Sequence, residues 1–272
     1  LPKEDLSLKL FINELFWHKL SWLFERAVTS IPKDTEVTEI TYEAPIKTDQ
    51  YPENNIGRIL HYKSSDDKAV IVLPPRGCGY DFSQTLAFYL AARGISVYQV
   101  ETPLRGTRLP PTANRSVCDL SLNLRLFQTM FDQAITEVRG VTELIDEPNK
   151  GIFGISLGGL YASIAYGIED SLTSGCLLMA GGNLHDMIFH SQDRLAKTVR
   201  RSIQDTRPST EEIERVFKHV EPCQYADPAK SKNLLMITAD HDTQVPPEYG
   251  RALRDAWPNV RYETFPAGHT TM

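Results

Sequence analysis

The chain has 272 residues, 41% hydrophobic and 24% charged, the balance of a globular protein and a length that suits one α/β domain with an insertion better than two domains. Its net charge of −6 argues against nucleic acid as the main partner, because phosphate binding needs a basic face. The four cysteines (Cys78, Cys118, Cys176, Cys223) have neither CxxC nor zinc spacing, so they read as buried or free thiols with one disulfide still open, and no stretch is long and apolar enough to span a bilayer.

Residues 5–27 carry apolar side chains at helical spacing (Leu8, Phe11, Ile12, Leu15, Phe16, Leu20, Leu23, Phe24). Their polar side is not rich in Lys or Arg, so packing against the body is expected rather than a membrane surface, and residues 1–35 are expected to be an N-terminal helical extension. The chain begins at Leu1 rather than Met; a cytoplasmic location is favoured, with secretion the alternative if a signal peptide preceded Leu1. Alternating residues with turn signals predict antiparallel strands over Glu36–Tyr42 and Gly57–Tyr62. Lys68–Leu73 is a continuous apolar run, as expected of a strand buried on both faces. It ends in Pro74-Pro-Arg-Gly-Cys-Gly79, and a helix is expected over Tyr80–Arg93.

Ile95–Val100 reads as another buried strand, closing in Glu101-Thr-Pro-Leu-Arg-Gly-Thr-Arg108. A long helix is expected over Leu120–Leu144. Next comes Lys150-Gly-Ile-Phe-Gly-Ile-Ser-Leu-Gly-Gly159, an apolar run that ends in G-x-S-x-G and passes at once into helix-forming residues. A strand is expected over Cys176–Ala180. Residues 183–228 then break the strand–helix rhythm with helical patterns and a capping box at Ser209–Glu212; they read as a helical cap. Leu234–Thr238, Glu248–Trp257 and Val260–Phe265 resume as strand, helix, strand. The succession predicts a doubly wound, mostly parallel sheet with helices on both faces.

The serine motif carries the chemistry. Ser156 at the tip of a strand-to-helix turn would expose its Oγ above the sheet, while Gly154 and Gly158 remove side chains that would clash there. A serine hydroxyl is a weak nucleophile and needs a base, and the base needs an orienting carboxylate. In an open parallel sheet, residues just past the carboxyl ends of strands converge on one crevice. Asp242 stands there after Leu234–Thr238, and His269 after the last strand. Asp240 competes with Asp242, which is favoured because it lies nearer the Val245-Pro246 that closes the loop. Of seven histidines, His269 alone follows a strand downstream of the acid. The order Ser, Asp, His is that of one triad-bearing fold. The oxyanion of the tetrahedral intermediate needs N–H donors: Leu157, and either Arg76 or Gly77, since the flanking prolines have none. Arg76, Arg105 and Arg108 are candidates for an anion-binding wall in the substrate pocket, with structural ion pairs as the alternative. Met187 and Ile188 are candidates for its apolar side.

Gly154–Gly158, Asp242-Thr-Gln-Val-Pro246 and Gly268-His269 together resemble the α/β-hydrolase superfamily, with coverage from about Ala69 to His269. Leu73-Pro-Pro-Arg-Gly, Glu101-Thr-Pro-Leu-Arg-Gly, Ala180-Gly-Gly-Asn183 and Pro266-Ala-Gly-His269 are similar to bacterial hydrolases near its dienelactone-hydrolase and acyl-peptidase-like branch. In that superfamily a final helix normally follows the histidine loop, whereas the sequence ends at Met272. The resemblance implies an α/β-hydrolase fold and a serine hydrolase acting through an acyl-enzyme, with a small-molecule ester as substrate and no metal or cofactor. An amidase, an acyltransferase and a non-catalytic binding member of the fold are the alternatives.

Overall fold

The computed structural model describes residues 36–76, 81–111 and 123–269. The expected helix over residues 5–27, Gly77 of the candidate oxyanion loop, and Cys78 and Cys118 lie outside them. Eight strands form one sheet: β1 (Glu36–Glu43), β2 (Ile56–Lys63), β3 (Lys68–Leu73), β4 (Ser96–Val100), β5 (Asn149–Ile155), β6 (Leu172–Leu178), β7 (Leu234–Ala239) and β8 (Arg261–Phe265), in the order β1-β2-β4-β3-β5-β6-β7-β8. β1–β2 and β2–β4 are antiparallel and the remaining pairs parallel, so this is the mostly parallel α/β sheet that the strand–helix rhythm implied.

The helices are α1 (Asp81–Ala91), α2 (Leu124–Leu144), α3 (Leu157–Ile168), α4 (Leu184–His190), α5 (Arg194–Asp205), α6 (Thr210–His219) and α7 (Pro247–Ala256). Successive residues of β3 serve opposite layers. Ile71 and Leu73 join a large core with α2, α3 and α7, while Val72 joins a smaller one with Ala87 and Ala91 of α1. That is why β3 is apolar at consecutive rather than alternate positions. α2 starts where the Asn123 side chain accepts the Leu126 N–H at 2.8 Å, and it buries Phe127, Phe131, Ala134, Val138 and Val141 along one stripe. α6 starts at a complete capping box between Ser209 and Glu212.

β6 departs from expectation. It begins at Leu172 and ends at Leu178, where Cys176–Ala180 was expected. Gly175, just before the expected start, is a close-packing position within the strand. A Cβ there would lie 2.7 Å from Leu234 Cδ1 and 3.4 Å from the Tyr166 ring, so the strand needs glycine to seat α3 and β7. At the other end Met179 turns out of the sheet with φ 53°.

A buried polar network ties the antiparallel edge to α2. Arg108 Nη1 and Nη2 donate to Glu137 Oε2 and Oε1 at 2.8 and 2.7 Å. Tyr42 OH (3.1 Å) and Gln133 Nε2 (3.0 Å) also donate to Glu137, so each of its oxygens accepts two bonds. Arg108 further donates to the carbonyls of Glu101 and Asn54 at 2.8 and 2.7 Å. Burial, reinforced by the Glu137 charge, pushes the Tyr42 phenol far above its ordinary range.

Candidate active site

β5 delivers Ser156 to the carboxyl edge of the sheet, and α3 begins at the next residue. Ser156 sits at φ 52°, ψ −115°, a left-handed backbone that a serine adopts only under constraint. The constraint is visible. The Ser156 N–H donates to Leu178 O at 2.8 Å across β6, and α3 is pressed back on β5. A Cβ on Gly154 would meet Gly158 O at 2.4 Å, and one on Gly158 would meet Leu73 O at 2.3 Å. No side chain fits at either place, so the sharp turn depends on both glycines.

Three strand ends bring three side chains together. Ser156 Oγ lies 2.9 Å from His269 Nε2, and His269 Nδ1 lies 2.6 Å from Asp242 Oδ2. Asp242 is 4% exposed. Its other oxygen accepts the N–H groups of Gln244 and Val245 at 2.9 and 2.8 Å, which locks the carboxylate on its loop. Asp240, two residues earlier, is exposed, and its N–H goes to Phe265 O at 2.7 Å. With Asp242 on Nδ1, the imidazole is oriented so that Nε2 faces the hydroxyl. Leu157 opens α3, so its N–H has no partner within the helix.

A cavity of about 100 Å³ opens beside Ser156. Leu157, Leu160 and Tyr161 of α3, Phe127, Met130 and Phe131 of α2, and Leu184, Met187 and Ile188 of α4 line it, with Leu195, Ala196 and Val199 of α5 opposite. Four loops add Arg76, Arg105, Asp193, and Gln244 with Val245. α4 is held in place from below: Glu221 accepts the Asn183 and Leu184 N–H groups at 2.9 and 2.7 Å, and Tyr249 OH donates to Asp186 at 2.8 Å.

The structure separates the three arginines expected to act together. Arg76 and Arg105 reach the cavity; Arg108 does not. Arg108 is wholly buried against Glu137, because its turn (Gly106–Arg108) rotates it away from its neighbour and into the body. Met187 and Ile188 do line the cavity. Tyr161 and the α2 aromatics were not singled out from the sequence. Their apolar periodicity marked a buried face but could not say that part of that face borders a cavity.

Among the described residues no group of three or more His, Cys, Asp or Glu side chains could hold a metal ion, and no helix is long and apolar enough to cross a membrane.

The model of the prolyl oligopeptidase family matches residues 81–266, more than half of the chain, including Ser156 and Asp242. No match is found among curated proteins. Similar solved structures include a cold-adapted esterase from an Arctic intertidal metagenomic library, 16% identical over 89% of this chain and 91% of that one, with a TM-score of 0.55. Acetyl xylan esterase 1 from a Thermoanaerobacterium species is 13% identical over 93% of this chain and 89% of that one, with a TM-score of 0.56. The acylaminoacyl peptidase of Pyrococcus horikoshii is 15% identical over 89% of this chain but 39% of its own, with a TM-score of 0.56. At such identities the likeness is one of fold. The family match and the parallel sheet with its serine turn together lead to one conclusion: this chain belongs to the prolyl oligopeptidase family and is a serine hydrolase of the α/β-hydrolase fold.

Proposed function

We propose that the chain cleaves carboxylic esters through an acyl-enzyme on Ser156. The observation that carries this reading is the continuous hydrogen-bonded chain from Asp242 through His269 to a serine held at a strained turn beside an apolar cavity. Ser156 Oγ attacks the ester carbonyl carbon as His269 Nε2 takes its proton. Asp242 keeps the Nδ1–H in place and balances the imidazolium. The Leu157 N–H, with a backbone N–H at Arg76 or Gly77, holds the oxyanion. The intermediate collapses, and the leaving alcohol takes the proton from His269. Water then attacks the acyl-enzyme, His269 receives the water proton, and the acid departs with Ser156 restored. As written, the chemistry needs no metal or cofactor.

In this reading residues 183–228 are a cap within one α/β-hydrolase domain. Met187 and Ile188 wall the acyl pocket, and Arg76 and Arg105 supply its polar side. A small-molecule ester is the substrate class. A fluorophosphonate should modify Ser156 and leave the Ser156→Ala protein unmodified, and that variant should lose nitrophenyl-ester turnover by roughly 10⁶-fold. Labelling or turnover that survives in Ser156→Ala refutes the reading.

The family match favours a second reading, cleavage of an amide or peptide bond by the same residues. Acyl anilides assayed beside the esters decide between them: the anilides would have to turn over with a comparable kcat/KM.

A further inference from the structure

Arg58, Arg108, Arg139, Arg254 and Arg261 each hold a carboxylate. Among the described residues the guanidinium groups of Arg125, Arg207 and Arg215 hold none, and all three line one groove. Arg125 comes from α2, Arg207 from the turn between α5 and α6, and Arg215 from α6. The groove measures about 540 Å³, within the range of small-molecule sites. It is separate from the cavity beside Ser156: Leu124 of α2 lines the groove, whereas Phe127 and Met130 of the same helix line the cavity.

Each of the three stands where its local structure disfavours it or leaves it idle. Arg125 is in the first turn of α2, where the positive end of the helix disfavours a cation. Arg207 has φ 49°, the left-handed backbone just past the end of α5 where glycine is the usual residue. Arg215 follows Glu211 and Glu212 by one helical turn, within reach of both, and is paired with neither. Glu212 also lines the groove, but its Oε2 accepts the Ser209 N–H at 2.8 Å as part of the capping box. Side chains kept against local preference mark places where something other than the local fold sets the choice.

Charge and shape point to a ligand. Three guanidinium groups against one carboxylate leave a surplus of two positive charges, in a chain whose net charge is −6. A phosphate monoester is close to doubly negative at neutral pH, and guanidinium groups meet its oxygens two at a time. Leu124 and Val216, both buried, add an apolar surface to the groove for the rest of a ligand. We propose that the groove between α2 and α6 binds the phosphate monoester of a small organic molecule with an apolar body, its phosphate held by Arg125, Arg207 and Arg215.

The probe is phenyl phosphate, titrated into the whole chain by calorimetry at neutral pH in about 0.1 M salt. One equivalent should bind, and Arg125→Gln, Arg207→Gln and Arg215→Gln should each weaken it about tenfold. Phenyl sulfate, the same shape with one negative charge, should bind about tenfold more weakly than the phosphate. Arg207→Gly guards against misfolding: it relieves the left-handed backbone, so its Tm should be equal or higher while its binding still falls. Because binding is read and not turnover, the result does not depend on the chemistry at Ser156. No saturable binding at about 10 mM phenyl phosphate overturns the proposal. So does binding that the arginine variants leave unchanged, or equal binding of the sulfate. Vesicles of phosphatidylcholine with and without phosphatidic acid form a last arm. Arginine-dependent sedimentation with the phosphatidic acid vesicles, by a protein that ignores phenyl phosphate, would assign the groove to a membrane headgroup and overturn the soluble ligand.

Discussion

Glu137 and Asp242 are both buried carboxylates, 2% and 4% exposed, and each is hydrogen-bonded to a basic side chain. Their surroundings differ. Glu137 faces a guanidinium that stays charged at every accessible pH, and Tyr42 and Gln133 take up its remaining capacity. Arg108 and Glu137 are both fully buried, so nothing from solvent reaches the pair. Asp242 faces an imidazole, the side chain whose ordinary titration lies near neutrality, and that imidazole leads on to a hydroxyl beside a cavity. The same two ingredients, acid and base, give a closed rivet at Glu137 and, at Asp242, a hydrogen-bonded chain that runs on to a hydroxyl and that the proposed reaction uses as its proton path.

The first way to break this comparison is to neutralise each acid in turn. Asp242→Asn should lower kcat on the order of 10⁴-fold, because the imidazole is then held in the wrong tautomer. Glu137→Gln should leave the kcat/KM of the folded protein within about twofold. Ester assays that show equal losses for both would mean the clusters are not separate.

Removing the rivet altogether comes next. Glu137→Ala leaves Arg108 buried without its counter-ion and should cost about 3–5 kcal/mol in urea unfolding. A loss below about 1 kcal/mol, the level of a surface pair, would show that water reaches the pair.

A smaller effect sharpens the cavity side. Met187→Ala should shift the ratio of kcat/KM for long against short acyl esters by about tenfold at most. A ratio that does not move would remove α4 from the acyl pocket.

A last effect, confined to alkaline pH, belongs to groups remote from the cavity. Burial pushes the Tyr62 and Tyr166 phenols up to about 12, from an ordinary value of 10.0. The folded state therefore keeps protons that the unfolded chain releases. Their contribution to stability is fully present below pH 10 and is lost as the pH rises toward 12. Urea midpoints followed from pH 9 to 12 should fall across that window, together with a late rise in tyrosinate absorbance. Flat midpoints would contradict the burial of both rings.

Much of the architecture was legible because it is written in local chemistry. Lys68–Leu73 and Leu234–Thr238 are apolar at consecutive positions, which only a strand covered on both faces requires. Gly154-x-Ser-x-Gly158 announces a turn too tight for side chains, and the 2.3–2.4 Å approaches at both glycines are the steric reason. The capping box at Ser209–Glu212 and the order of Ser156, Asp242 and His269 need only the chain itself. Packing decided the rest. Arg105 and Arg108 lie three residues apart in one loop, and no sequence pattern says that one borders a cavity while the other reaches Glu137, 29 positions away. Gly175 lies before the expected start of its strand, and its need for a missing side chain shows only once α3 and β7 are seated on it. Tyr161 reads as one more apolar helix residue, because periodicity reports which face of a helix is buried but not whether protein or empty space lies against it.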